Sequence, residues 1–181
     1  MTIVSLDAAI KQVLAVLAEA FDGPKQSWSY FTDQGAEAGL FDTLARLSAA
    51  DASRIWGGTT IAAHAHHVQF GLAASAAWIA GDRTSRDWQE SWSVSTVDDA
   101  AWKRLREQLR GAYDDLRRAI ESHASSGVEA MGGAVGAVAH AAYHLGAIRQ
   151  KVVAARSAAV SEAIAKRGWT RDELHERHSK D

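Results

Sequence analysis

Residues 130–148 read "AMGGAVGAVAHAAYHLGAI", with no Asp, Glu, Lys or Arg anywhere in the run. Its length approaches that of a membrane span. Ala and Gly dominate it, however, and only Met131, Val135, Val138, Leu145 and Ile148 supply apolar bulk. Side chains this small let neighbouring helices come close, so the run reads as a helix buried among other helices and not as a span. The remaining composition agrees: alanine is abundant, proline occurs once at Pro24, and runs with strand-like alternation are few. An all-α fold is expected.

Further helices follow from apolar spacing and end signals. "SLDAAIKQVLAVLAEAF" opens on Ser5 as cap and carries Ile10, Val13, Leu14, Leu17 and Phe21 on one stripe before "DGPK" at 22–25 stops it. A polar, aromatic connection follows, then a short helix near Leu40–Leu47. "TTIAAHAHHVQFGLAASAAWIAG" is a second long helix, capped by Thr59 or Thr60 and stopped at Gly81. The third opens near a Thr96…Asp99 capping pattern and buries Trp102, Leu105, Leu109, Ala112, Leu116 and Ile120. The fourth contains the opening run and is expected from about Val128 to Arg156, with one or two short helices beyond it, the last starting at a Thr170…Glu173 capping box. Four long helices suggest an up-and-down four-helix bundle with short additional helices. Residues 1–181 are read as one domain, with a core at about 5–156 and a helical extension at 157–181.

Composition excludes several function classes. The 181 residues contain no cysteine, which removes disulfides, thiolate metal sites and cysteine nucleophiles together. Net charge is −2 with acids and bases interspersed, so no basic stripe points to nucleic acid. "MTIVSLDAAIKQ" reaches Asp7 before any basic residue, unlike a secretory leader. A cytoplasmic protein without a membrane span is expected.

The chemistry-bearing residues are histidines. Positions i and i+4 of a helix differ by about 40° in direction and roughly 6 Å along the axis. His140 and His144 therefore share a face of the uncharged helix, with Gly133, Gly136 and Ala137 one to two turns earlier as room for a ligand or a close neighbour. The second helix offers a third imidazole. His64 and His67 lie on one shoulder of its apolar arc, His64 nearer the centre, while His66 falls on the far side and is expected to face solvent. Two histidines from one helix and one from another make a three-imidazole metal site with open positions. The competing reading is a set of core histidines with hydrogen-bonded rings. Residues 141–143 are Ala-Ala-Tyr, so the metalloprotease motif with its glutamate base is absent. His175 and His178 sit in a charged tail and are read as exposed.

Two segments, "TIAAHAHHV" at 60–68 and "HAAYHLGAIRQ" at 140–150, resemble the corresponding motifs of the DinB-like superfamily of four-helix-bundle metal proteins, which includes the YfiT-type hydrolases. By position the resemblance implies His67, His140 and His144 as ligands of one divalent transition metal, zinc or nickel, with His64 as the alternative third ligand. It also implies a homodimer, and an enzyme that is a metal-dependent hydrolase or a transferase or isomerase using a low-molecular-weight thiol on a small-molecule substrate. The other reading is a metal-stabilised binding or stress-response module without turnover. Tyr143, Arg149, Trp88 and Trp92 are the candidate substrate contacts. Tyr143 neighbours a ligand, Arg149 follows it by five residues and suits an anion, and the two tryptophans share a loop with Arg83 and Arg86. Each has a plain packing or ion-pair alternative.

Overall fold

The computed structural model describes residues 5–35 and 38–166. Among them the protein is helical, with six α-helices and no strand: α1 (Leu6–Asp22), α2 (Leu40–Ala45), α3 (Ala49–Ser53), α4 (Ile61–Ile79), α5 (Asp99–His123) and α6 (Val128–Lys166). Four are long. No described helix is long and apolar enough to cross a membrane.

Capping residues set most of the helix starts. The Ser5 hydroxyl accepts the Ala8 N–H at 3.2 Å, and α1 ends where Gly23 turns to φ 77°. A Cβ on Gly39 would stand 2.4 Å from the Gly23 nitrogen, so the chain can return past the end of α1 only through a residue without one. The connection between α1 and α2 is tied down by Glu19. Its buried carboxylate accepts the N–H groups of Tyr30, Phe31 and Thr32 at 2.8–3.0 Å, and the Thr32 hydroxyl as well. Burial alone would raise the Glu19 pKa, but these four bonds outweigh it and hold the carboxyl below its usual range. Glu19→Gln is expected to cost about 1–2 kcal/mol, because a charged acceptor of three backbone donors becomes a neutral one. A urea titration checks this.

Helix α4 starts from a fixed platform. Gly57 and Gly58, at φ 58° and 82°, turn the chain so that Trp56 and Thr59 pair, and Thr60 caps the Ala63 N–H at 3.0 Å. The buried ammonium of Lys151 on α6 donates to the Trp56 and Thr59 carbonyls, which pins that turn against α6. Burial lowers the Lys151 pKa. Helix α4 then runs through the centre of the protein, packed against both α5 and α6, while α1 packs mainly on α6. Its buried set, from Ile61 and Ala65 through Val68 and Leu72 to Ile79, is spread around much of its circumference, as a central helix requires. Helix α5 is amphipathic and buries Trp102, Leu105, Leu109, Tyr113, Leu116 and Ile120. Tyr113 joins Phe21 and Phe41 in an aromatic cluster with ring centroids 4.7–5.3 Å apart.

Two expected boundaries are corrected. The cap of α5 is Asp98, whose carboxylate accepts the Ala101 N–H at 2.7 Å, and not Thr96. Helix α6 does not end at Arg156 but continues to Lys166, because "SAAVSEAIAK" contains neither Gly nor Pro and its alanines favour helix. Within that stretch the Ser161 hydroxyl donates back to the Ser157 carbonyl at 3.0 Å. The Thr170…Glu173 capping box, His175 and His178 lie outside the described residues.

Candidate metal centre

Helices α4 and α6 bring the expected histidines together. His67 from α4 and His140 and His144 from α6 each offer a ring nitrogen, and the three nitrogens lie within 4.8 Å of one another. His67 and His140 face each other through Nε2 at 2.9 Å. His67 and His144 are 9% and 4% exposed, and His140 forms the more open side. Tetrahedral binding at about 2.0–2.1 Å would place ligand nitrogens roughly 3.3 Å apart, so shifts of an ångström or so close the set. The donors therefore fit a divalent transition metal. Among the described residues no carboxylate belongs to this group.

The neighbouring groups determine which nitrogen points inward. Ser91, buried in the loop between α4 and α5, donates its hydroxyl to the Trp88 carbonyl at 2.6 Å. Its oxygen is then the acceptor for His67 Nδ1 at 2.7 Å, which places a proton on Nδ1 and leaves the Nε2 lone pair toward the cluster. His144 meets His64 through Nδ1 on both rings at 2.9 Å, so Nε2 is the atom of His144 left for the site. The Trp92 indole stacks on His67, with centroids 4.1 Å apart and planes at 19°, and stands edge-on to His64.

Burial keeps these rings neutral. It holds His64 and His67 down to about 4 and His144 to about 3, and it lowers His140. The Lys151 charge adds to the effect on His64, and the other histidines add to those on His67 and His144. Neutral imidazole is the form that binds metal. The shifts also fix a pH dependence for the metal-free protein. The unfolded chain takes up protons near pH 6.5, whereas the folded rings do so only near 3–4. Their contribution is fully present above about pH 6.5 and is lost as pH falls toward 4. In chelator, the urea midpoint is expected to be lower at pH 5 than at pH 7.5, and less so in His144→Gln.

The other expected site residues separate into two groups. Trp92 lies on the cluster, and Trp88 lies beside it, 6.1 Å from the His67 ring and 5.4 Å from Phe70. Tyr143 is 71% exposed, its ring edge-on to His144 at 5.0 Å, and points mainly to solvent. Arg149 pairs with Asp33 of the α1–α2 connection.

Two expectations need correction. His66 does not simply face solvent: its Nδ1 donates to the Ser91 carbonyl at 2.9 Å, because the α4–α5 loop covers that side of α4. Gly136 faces open space, and the glycine that admits a histidine ring is Gly71, where a Cβ would stand 2.6 Å from Cε1 of His140.

Beyond Trp88 lies a cavity of about 530 Å³, with Trp78 and Ser75 of α4, Gly133 of α6 and Arg86 of the loop in its walls. Its size suits a small organic molecule. The Arg83 guanidinium stacks on Trp78 at 3.9 Å, and Arg86 is held by Asp82 at 2.9 Å. No family model, curated protein or solved structure matches the chain.

Proposed function

We propose that this is a metal-binding protein of the DinB-like kind, in which α1, α4, α5 and α6 form an up-and-down four-helix bundle around one three-histidine site. The observation that carries the reading is the convergence of ring nitrogens from His67, His140 and His144 within 4.8 Å, without a carboxylate in the group. Three neutral nitrogen donors suit zinc or nickel and leave coordination positions for a further molecule. A metal so held would supply Lewis acidity to a carbonyl or a thiol. The residues of this chain have their own tasks. Ser91 orients His67, Trp92 covers one side of the site, and the cavity beyond Trp88 offers space for the body of a substrate. On this reading the protein is a metal-dependent enzyme of the hydrolase or thiol-dependent transferase type.

Metal analysis of untagged protein is the test. About one zinc or nickel per chain in the wild type, absent from His140→Ala, is the expected result. A metal-free wild type that takes up neither ion on dialysis leaves the histidines as hydrogen-bonded core residues and ends the proposal. Trp88→Ala in loaded protein is expected to keep the metal and to weaken binding of small aromatic probes in the cavity about tenfold, read by fluorescence titration of the remaining tryptophans.

A further inference from the structure

Four histidines, not three, are interlocked at the centre, and they pair through different atoms. His67 and His140 meet through Nε2 on both rings, whereas His64 and His144 meet through Nδ1 on both rings. The second contact decides the role of His64. A ring whose Nδ1 is 2.9 Å from another Nδ1 cannot use that atom for an ion shared with His67 and His140, and His64 is not part of the converging group. Two lone pairs facing at that distance repel, so one of the two Nδ1 atoms carries a proton. If His144 binds through Nε2, its own Nδ1 is protonated in the neutral ring, and His64 Nδ1 is the acceptor.

We propose that His64 is a positioning residue that accepts the Nδ1 proton of His144 and so fixes the tautomer presenting Nε2 to the metal. The inference rests on the metal-site reading above. It makes the centre a two-layer array in which His67 leans on Ser91 and His144 leans on His64. Outer partners of metal-bound histidine are usually carboxylates or carbonyls, and they set ring orientation and basicity. A neutral imidazole does so here without bringing a negative charge into a buried site. His64 is itself held: it is 7% exposed, and the Trp92 ring stands edge-on to it at 5.4 Å.

The test uses cobalt(II) as probe on full-length untagged protein, comparing wild type with His64→Leu and His64→Asn. His64→Leu is expected to bind cobalt about 10–100-fold more weakly. The visible spectrum of its saturated form should be unchanged, because all three ligands remain. His64→Asn is expected to return to within a few-fold of wild type, since its amide oxygen can accept the same proton. Equal affinity in His64→Leu and wild type overturns the proposal. So does a saturated His64→Leu spectrum showing one nitrogen fewer, which would make His64 a ligand. If His64→Leu does not fold, ¹⁵N imidazole spectra of zinc-loaded wild type decide: a protonated Nδ1 on His144 and a bare Nδ1 on His64 are expected, and the reverse overturns the proposal. A wild type that binds neither cobalt nor zinc fails the metal-site reading itself, an outcome distinct from all of these.

Discussion

His140→Ala is expected to abolish metal uptake and to remove the whole metal-dependent part of the thermal stability. The ring leaves one side of the site open and takes away a donor that stands 2.9 Å from His67 Nε2. The two remaining imidazoles would have to hold the ion alone. Stabilisation by a ligand grows with its concentration over Kd, reaching about 4 kcal/mol at a thousandfold excess. For a chain of this size each kcal/mol moves Tm by roughly 2–4 °C. Wild-type protein with saturating zinc is therefore expected to melt about 8–16 °C above the same protein in chelator, while His140→Ala melts alike in both. The comparison within each protein matters, because His140 is only half-buried and its truncation also changes packing. Differential scanning calorimetry with and without chelator separates the two effects. A zinc-dependent shift in His140→Ala equal to that of wild type would remove His140 from the site.

Much of this arrangement was legible in the sequence, and the parts that were not share a cause. Periodicity located α1, α4, α5 and the start of α6, and Ser5 and Thr60 act as caps where a hydroxyl precedes an apolar stripe. Asp98 in place of Thr96 is an error of two residues in a run where several side chains can cap. Helix α6 runs past Arg156 because helices end where something stops them, and the described residues after Arg156 contain no such signal. At the site, spacing places His140 and His144 on one face, but a helical wheel favours His64 over His67 as their partner, and only the motif resemblance points to His67. The apolar centre of α4 is ill-defined because that helix packs on two sides. In the structure His67 stands in the group with His140 and His144, and His64 lies behind His144. Ser91 carried no signal, since a serine between two tryptophans in a loop becomes a partner of His67 only when the loop folds back over α4. The same loop gives His66 a partner, the Ser91 carbonyl, that its place on the helical wheel does not show. Gly71 did carry one: a glycine inside a helix costs stability relative to alanine unless something must come close.

The sign of the stability change on replacing Gly71 by alanine is diagnostic of its role. Replacing an interior helical glycine by alanine normally stabilises a protein by roughly 0.5–1 kcal/mol. At Gly71 the new methyl would stand 2.6 Å from Cε1 of His140, closer than real contacts allow, and 3.0 Å from its Nδ1, a tight contact. Since the contact is with a side chain, the His140 ring can turn aside, and it is the ring that leaves while the backbone of α4 stays. Gly71→Ala is therefore expected to destabilise the metal-free protein by about 1–3 kcal/mol and to weaken zinc binding by about 10–100-fold, because the ring is misoriented but not removed. With His140 also replaced by alanine the clash is gone, and Gly71→Ala should then stabilise by about 0.5–1 kcal/mol, its ordinary helical effect. The change of sign across this double-mutant cycle isolates the contact between α4 and the His140 ring from the propensity of the residue. Equal destabilisation in both backgrounds would mean that Gly71 serves the packing of α4 on α6 and has no part in seating the ligand.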